Sequence, residues 1–108
     1  NLLERVFYNL IENAIKYSTP SSHVSIRTKH QENHILVDVI DEGEGIPPEY
    51  RELVFEPFFR IDKSRSRLVG GSGLGLAVCK KILERHGASI CVLEHQGGGS
   101  MFRVIFPS

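Results

Sequence analysis

His34-Ile35-Leu36-Val37-Asp38-Val39-Ile40-Asp41-Glu42-Gly43-Glu44-Gly45 decides how the rest of this chain is read. Ile35 to Ile40 is a nearly continuous apolar run of strand length, so it is expected to be a buried strand. Asp41 ends that strand and precedes two glycines spaced Gly43-x-Gly45. Its carboxylate would therefore sit at a sheet edge where backbone can approach a flat ligand closely. Such a carboxylate can accept an exocyclic amino proton. A D-x-G-x-G sequence alone is equally compatible with a plain Asx or glycine turn.

Working backward, Gln31-Glu32-Asn33 separates this strand from His23–His30, where Val24, Ile26 and Thr28 alternate with Ser25, Arg27 and Lys29. The two runs form a hairpin. Before it, Leu2, Leu3, Val6, Phe7, Leu10, Ile11 and Ala14 recur at helical spacing behind Asn1 as N-cap, and the pattern stops before Ser18-Thr19-Pro20. On that helix Asn9, Asn13 and Lys16 lie within roughly 60° of one another beside the apolar stripe. Carboxamide oxygens can ligate Mg²⁺ and an ammonium meets phosphate. The alternative is a solvated face on which Lys16 pairs with Glu12 at i,i+4.

Working forward, Pro47-Pro48 belongs to a loop and Glu49 to Phe55 is expected to form a short helix. No period survives from Glu56 to Gly71, where Arg60, Lys63, Arg65 and Arg67 stand against Asp62 alone. This is expected to be a mobile basic loop. It runs into Gly70-Gly71-Ser72-Gly73-Leu74-Gly75, which opens a second helix carrying Leu74, Val78 and Ile82 on one face and stopping at Gly87. Exposed N–H groups and the helix dipole make that entry an anion site suited to phosphate. No Lys-Ser/Thr follows Gly75, and Leu76 stands where a dinucleotide motif needs its third glycine, so neither of those nucleotide folds applies. A flexible linker is the alternative. Ala88–Leu93 and Met101–Phe106 form a second hairpin around Gly97-Gly98-Gly99.

The chain has 108 residues, 41% hydrophobic and 24% charged, the balance of one globular domain that buries ~65% of its extended surface. Thirteen basic and thirteen acidic residues cancel, which argues against nucleic acid or an anionic membrane as partner. No apolar run approaches the ~20 residues of a membrane span, and no signal segment opens the chain. Two cysteines, Cys79 and Cys91, are too few for a disulfide framework. With His86 and His95 they match no usual zinc spacing. No nucleophile elbow occurs. Starting without Met in a patterned helix, the sequence is expected to be a piece of a longer protein. The element order implies an α+β two-layer sandwich, its sheet mixed but mostly antiparallel, with helices packed on one face.

Asn9-Leu-Ile-Glu-Asn13-Ala-Ile-Lys16-Tyr17, Asp41-Glu-Gly43-Glu-Gly45-Ile46, Phe55-Glu-Pro-Phe58-Phe59-Arg60 and Gly71-Ser-Gly73-Leu-Gly75-Leu, in this order, resemble the N, G1, F and G2 boxes of the ATP-binding domain of sensor histidine kinases. These belong to the GHKL superfamily, with the Bergerat fold. The resemblance covers residues 1–108 as a single domain, and Phe102-Arg-Val-Ile-Phe106-Pro107 resembles its final strand. It implies an N-terminally truncated fold lacking the family's first strand. Asn13, with Asn9, would ligate the Mg²⁺ bridging the ATP phosphates, Lys16 would touch phosphate, and Tyr17 would pack near adenine or ribose. Asp41 would accept the adenine amino proton while Gly43, Gly45 and Ile46 shape the pocket. Residues 56–72 would be the ATP lid, its hinge pinned to the core by Phe55, Phe58 and Phe59. Phe58 would also belong to the ATP site, Arg60 would reach phosphate, and Gly71, Ser72, Gly73, Leu74 and Gly75 would meet the phosphate tail.

Gyrase-type ATPases, MutL-type proteins and anti-sigma kinases carry a base, Glu, four residues before the box Asn, where this chain has Asn9. The resemblance therefore implies a protein-histidine kinase domain. Its γ-phosphate would go to a histidine on a separate dimerisation and phosphoacceptor domain, since none of the five histidines here lies in the acceptor motif. The response regulator would be reached through the full-length protein. That protein would be a membrane-bound bacterial sensor, with this domain cytoplasmic and making no direct membrane contact. A regulatory nucleotide-binding module without transfer, and a GHKL ATPase, are the alternatives.

Overall fold

The computed structural model describes residues 1–18, 21–59, 75–95 and 97–107. Helix α1 (Leu2–Tyr17) begins where Asn1 Oδ1 accepts the N–H groups of Leu3 at 2.8 Å and Glu4 at 3.4 Å, satisfying donors that a helix start otherwise leaves open. It ends at Ser18, whose backbone is extended and whose hydroxyl donates to the Ala14 carbonyl. Strands β1 (Ser25–Gln31) and β2 (His34–Ile40) form the expected first hairpin. Helix α2 (Gly75–Arg85) then leads to β3 (Ser89–Glu94) and β4 (Ser100–Pro107).

The four strands lie in the order β1-β2-β4-β3, with every described pairing antiparallel. No parallel pair occurs among the described residues, although the expected sheet was mixed. Register sets which face each residue takes: Val39 stands opposite Phe102 and Phe102 opposite Val92, while Val37, Val104 and Ile90 form the next row. These side chains pack with Val6, Leu10 and Ala14 of α1 and with Cys79, Ile82 and Leu83 of α2 in one core. Both helices therefore cover the same face of the sheet. α1 lies against β2 and α2 against β3, which leaves β1 as an edge with all seven residues exposed.

On the opposite face the row Asp38–Arg103 runs between Leu36–Ile105 and Ile40–Met101. Asp38 is 6% exposed and receives a bidentate pair from Arg103, Nε at 2.8 Å and Nη2 at 3.0 Å. This is the fork geometry that makes such pairs strong and directional. Helix α2 ends in a Schellman motif at Gly87 (φ 74°), where the Ala88 N–H bonds the Leu83 carbonyl and the Gly87 N–H the Glu84 carbonyl.

Two expectations change. The short helix expected over Glu49–Phe55 is instead two 3-10 turns, Pro48–Tyr50 and Leu53–Phe55, because Pro47 and Pro57 bracket a stretch too short to propagate an α-helix. Phe55 is buried against Phe102 edge to face and Phe59 packs at a tilt against Tyr50. Phe58, expected to pin the same hinge to the core, is 69% exposed. Its φ of 66° reverses the direction of its side chain relative to its neighbours.

Candidate nucleotide site

The site is assembled around the end of β2. Asp41 is 3% exposed, and its carboxylate is held by three donors. Oδ1 accepts the N–H of Gly43 at 2.9 Å and of Ser100 at 3.3 Å, and Oδ2 accepts the Ser100 hydroxyl at 2.7 Å. The Asp41 N–H in turn donates to the Ser100 carbonyl at 3.0 Å, extending the β2–β4 ladder past the last strand residue. Three hydrogen bonds thus fix the carboxylate, and a fourth fixes its backbone, at the edge of the sheet. A carboxylate oxygen accepts two hydrogen bonds; among the described residues Oδ1 receives two donors and Oδ2 one.

Three glycines let the surrounding chain close on this group. A Cβ on Gly43 would come nearer than 3.0 Å to the Tyr17 carbonyl oxygen, so the end of α1 rests directly on the loop after β2. Gly45 (φ 80°) would clash with the Gly99 carbonyl, and Gly99 (φ 81°) with the carbonyl of Asp41. The Gly97-Gly98-Gly99 turn is therefore more than a hairpin connection, because its last residue packs on the backbone of Asp41 and Glu42. The loop is braced from two further sides. Glu42 Oε1 accepts the His23 N–H at 2.7 Å, and Arg51 Nε donates to the Ile46 carbonyl at 3.3 Å. Ile46 is half-buried against the core.

On α1, Asn13 and Asn9 are both half-buried, one helical turn apart. The buried Cys79 thiol lies 3.7 Å from the Val6 carbonyl oxygen, and burial, opposed more weakly by the neighbouring Asn9 carboxamide, pushes that thiol up from its ordinary value. Lys16 lies 3.8 Å from Glu12 in the i,i+4 pair that the sequence allowed. Exposed as it is, that pair is weak enough to exchange for a phosphate. Tyr17 is half-buried and contributes its carbonyl to the Gly43 contact.

Gly75 opens α2 with open space around it. Arg60, Gly71, Ser72, Gly73 and Leu74, and the expected lid beyond Phe59, lie outside the described residues. The structure thus brings Tyr17, Asp41, Gly43, Gly45 and Ile46 into one constellation, places Asn9, Asn13 and Lys16 along the adjoining helix, and leaves Phe58 on the surface. Ser100 and Gly99 are the residues that sequence reading missed. The pattern Gly-Gly-Gly-Ser reads as a turn, and only the antiparallel pairing of β4 with β2 carries it to Asp41.

The model of the histidine kinase-, DNA gyrase B- and HSP90-like ATPases matches residues 1–108. The chain belongs to this family. It is 38% identical over 103 residues to the signal transduction histidine-protein kinase ArlS of Staphylococcus aureus, a match covering 95% of this chain and 23% of ArlS. It therefore spans about a quarter of the length of that relative. Among solved structures, the mycobacterial sensor histidine kinase MprB superposes with a TM-score of 0.86 at 35% identity, over 98% of this chain and 70% of that one. Full-length ShkA in complex with AMPPNP superposes with a TM-score of 0.83 at 26% identity, over 98% of this chain and 21% of that one. The four sequence boxes, the sheet with both helices on one face and these relatives agree on a domain of the histidine kinase branch.

Proposed function

We propose that this domain binds MgATP and holds its γ-phosphate for in-line attack by a histidine on a separate dimerisation and phosphoacceptor domain. It would be the catalytic half of a two-component sensor kinase that passes its phosphoryl group to a response regulator. The observation that carries the reading is the carboxylate of Asp41, buried, fixed by Gly43 and Ser100, and with one acceptor position on Oδ2 unused among the described residues. An adenine 6-amino group supplies the N–H that this position requires. Guanine would present a carbonyl oxygen there and be repelled by a buried negative charge.

The phosphate end follows from α1. Asn13 offers a neutral oxygen ligand beside Asn9 and Lys16, and Mg²⁺ takes few protein ligands when phosphates and waters supply the rest. The donor set therefore fits the ion, which when bound neutralises charge on the phosphates. Lys16 exchanges its Glu12 pair for phosphate, and Tyr17 and Ile46 border the base or ribose. Gly75 and the residues 71–74 before it are assigned to the phosphate tail, with Phe58 and Arg60 at its margin. Such phosphoryl transfer relies on positioning and charge neutralisation. No carboxylate stands at Asn9, so the domain has no residue of its own there to activate water. Glu12 is exposed and paired with Lys16.

Among the described residues no helix is long and apolar enough to cross a membrane. The domain is assigned to the cytoplasmic side of a membrane-bound bacterial sensor, without direct contact to membrane or nucleic acid. The test is a calorimetric titration with a non-hydrolysable ATP analogue, with and without Mg²⁺, on the wild-type chain and on Asp41→Asn. Wild-type binding lost in the variant is expected. In the full-length parent, Asn13→Asp is expected to abolish transfer to histidine. Binding without any transfer in the wild-type parent would convert the reading into that of a regulatory nucleotide-binding module. Sustained phosphate release by the chain alone would make it an ATPase.

A further inference from the structure

Ile46 follows Gly45 in the loop after β2, and the two residues after it are prolines. Pro47 and Pro48 carry no N–H, so neither can donate to the carbonyls of the loop that runs up to them. Pro47 is extended (φ −56°, ψ 147°). The 3-10 turn beyond it uses the carbonyls of Pro47 and Pro48, which accept the N–H groups of Tyr50 at 2.9 Å and Arg51 at 3.3 Å. The Ile46 carbonyl stands one residue before that ladder, and its partner is a side chain: Arg51 Nε donates to it at 3.3 Å.

This bond closes a ring from Ile46 to Arg51. Arg51 is half-buried and belongs to none of the four sequence boxes. Its backbone is fixed by the turn, and the ring of its neighbour Tyr50 packs against Phe59 with centroids 5.6 Å apart, so the side chain reaches back from an anchored base. Within the closed stretch the two prolines hold φ near −65°, which leaves few torsions by which Ile46 could turn. Gly45, at φ 80°, is the permissive joint on the other side, and a hold on the next carbonyl limits its rotation.

We infer that Arg51 is a positioning residue, whose Nε–H holds the Ile46 carbonyl and thereby keeps the Ile46 side chain against the nucleotide base. This rests on the MgATP reading of the site and adds to it a residue that acts through Ile46 rather than through its charge.

The test separates the donor from the charge. Arg51→Gln puts a neutral N–H at the same distance along the side chain as Nε, whereas Arg51→Met keeps the stem and loses donor and charge together. Both are titrated by calorimetry, as the 108-residue chain, with a non-hydrolysable ATP analogue and MgCl₂. The Gly45 and Ile46 amide resonances of the nucleotide-free chain report the loop itself. Arg51→Met is expected to weaken binding about three- to tenfold, the scale of one hydrogen bond, and to shift both resonances. Arg51→Gln is expected to recover most of that loss. Equal affinities in the two variants would overturn the inference, since charge alone would then account for any change, as would an Arg51→Met chain that binds like the wild type. If Arg51→Met does not fold, Arg51→Leu takes its place in the comparison. In either failure, binding that is present in the wild type and lost in Asp41→Asn leaves the MgATP reading standing. A wild-type chain that binds no analogue would overturn both.

Discussion

Gly98 and Gly99 are neighbours in one turn with nearly the same backbone, φ 88° and 81°, yet an alanine has space at the first and none at the second. Placing an L-residue in the left-handed region costs about 1–2 kcal/mol, partly offset because alanine restricts the unfolded chain by about 0.5–1 kcal/mol more than glycine. Gly98→Ala should therefore cost about 1 kcal/mol. Gly99→Ala shares that cost and adds a steric one. Its Cβ would lie 2.8 Å from the Asp41 carbonyl carbon and 2.9 Å from the Glu42 Cα, and its nearest neighbour is backbone, which cannot rotate aside. Forced repacking of this kind adds about 1–3 kcal/mol. With a urea m-value of about 1–3 kcal/mol/M, the Gly99→Ala midpoint should fall about 1 M below that of Gly98→Ala. The displaced backbone belongs to Asp41, so nucleotide affinity should fall by about 100-fold in Gly99→Ala, the scale of an ångström-sized misplacement, and stay near wild type in Gly98→Ala. Urea unfolding followed by circular dichroism and calorimetric titration read the two effects separately. Equal midpoints and equal affinities in the two variants would refute the close packing of this turn on the loop after β2.

Two further outcomes concern stability alone. Arg103→Met should destabilise the fold by about 3–5 kcal/mol, because it strands the buried Asp38 carboxylate, whereas Asp38→Leu combined with Arg103→Met should recover most of that loss; chemical denaturation of the single and double variants measures both. Stability should also fall as pH rises above about 9, because burial raises the Cys79 thiol from its ordinary 9.0. The folded state then keeps a proton that the unfolded state releases, so the stabilisation is complete below the unfolded value and is lost as pH climbs through the folded one. Cys79→Ala should flatten that decline in urea midpoints measured from pH 8 to pH 10.5.

What the sequence made legible were the features whose signal is local. The 3.6 period of Leu2–Ala14, the apolar run Ile35–Ile40 and the Gly87 stop each reflect a preference of a short segment, and each stands where it was expected. Asp41 with its glycines was legible as a candidate for the same reason. Context was not. Ser100 has no signature of its own, and its role arises because β4 pairs with β2 rather than with β1. The exposure of Phe58 depends on one backbone angle, and the two 3-10 turns on the prolines around them.

The ion pair on the helix-free face of the sheet has a consequence at the far end of the same strand. Asp38 and Asp41 are three residues apart on β2 and its extension, so any sliding of β2 along β4 moves both. A slip of two residues would keep the alternation of faces and leave the apolar rows nearly content. It would also carry Asp41 about 7 Å from Ser100, and it would set the Asp38 carboxylate opposite Met101 or Ile105 instead of Arg103. The pair thus acts as a vernier mark. Its worth lies less in the energy it adds to the correct alignment than in the misalignments it forbids, and what it keeps in alignment is the buried carboxylate of Asp41.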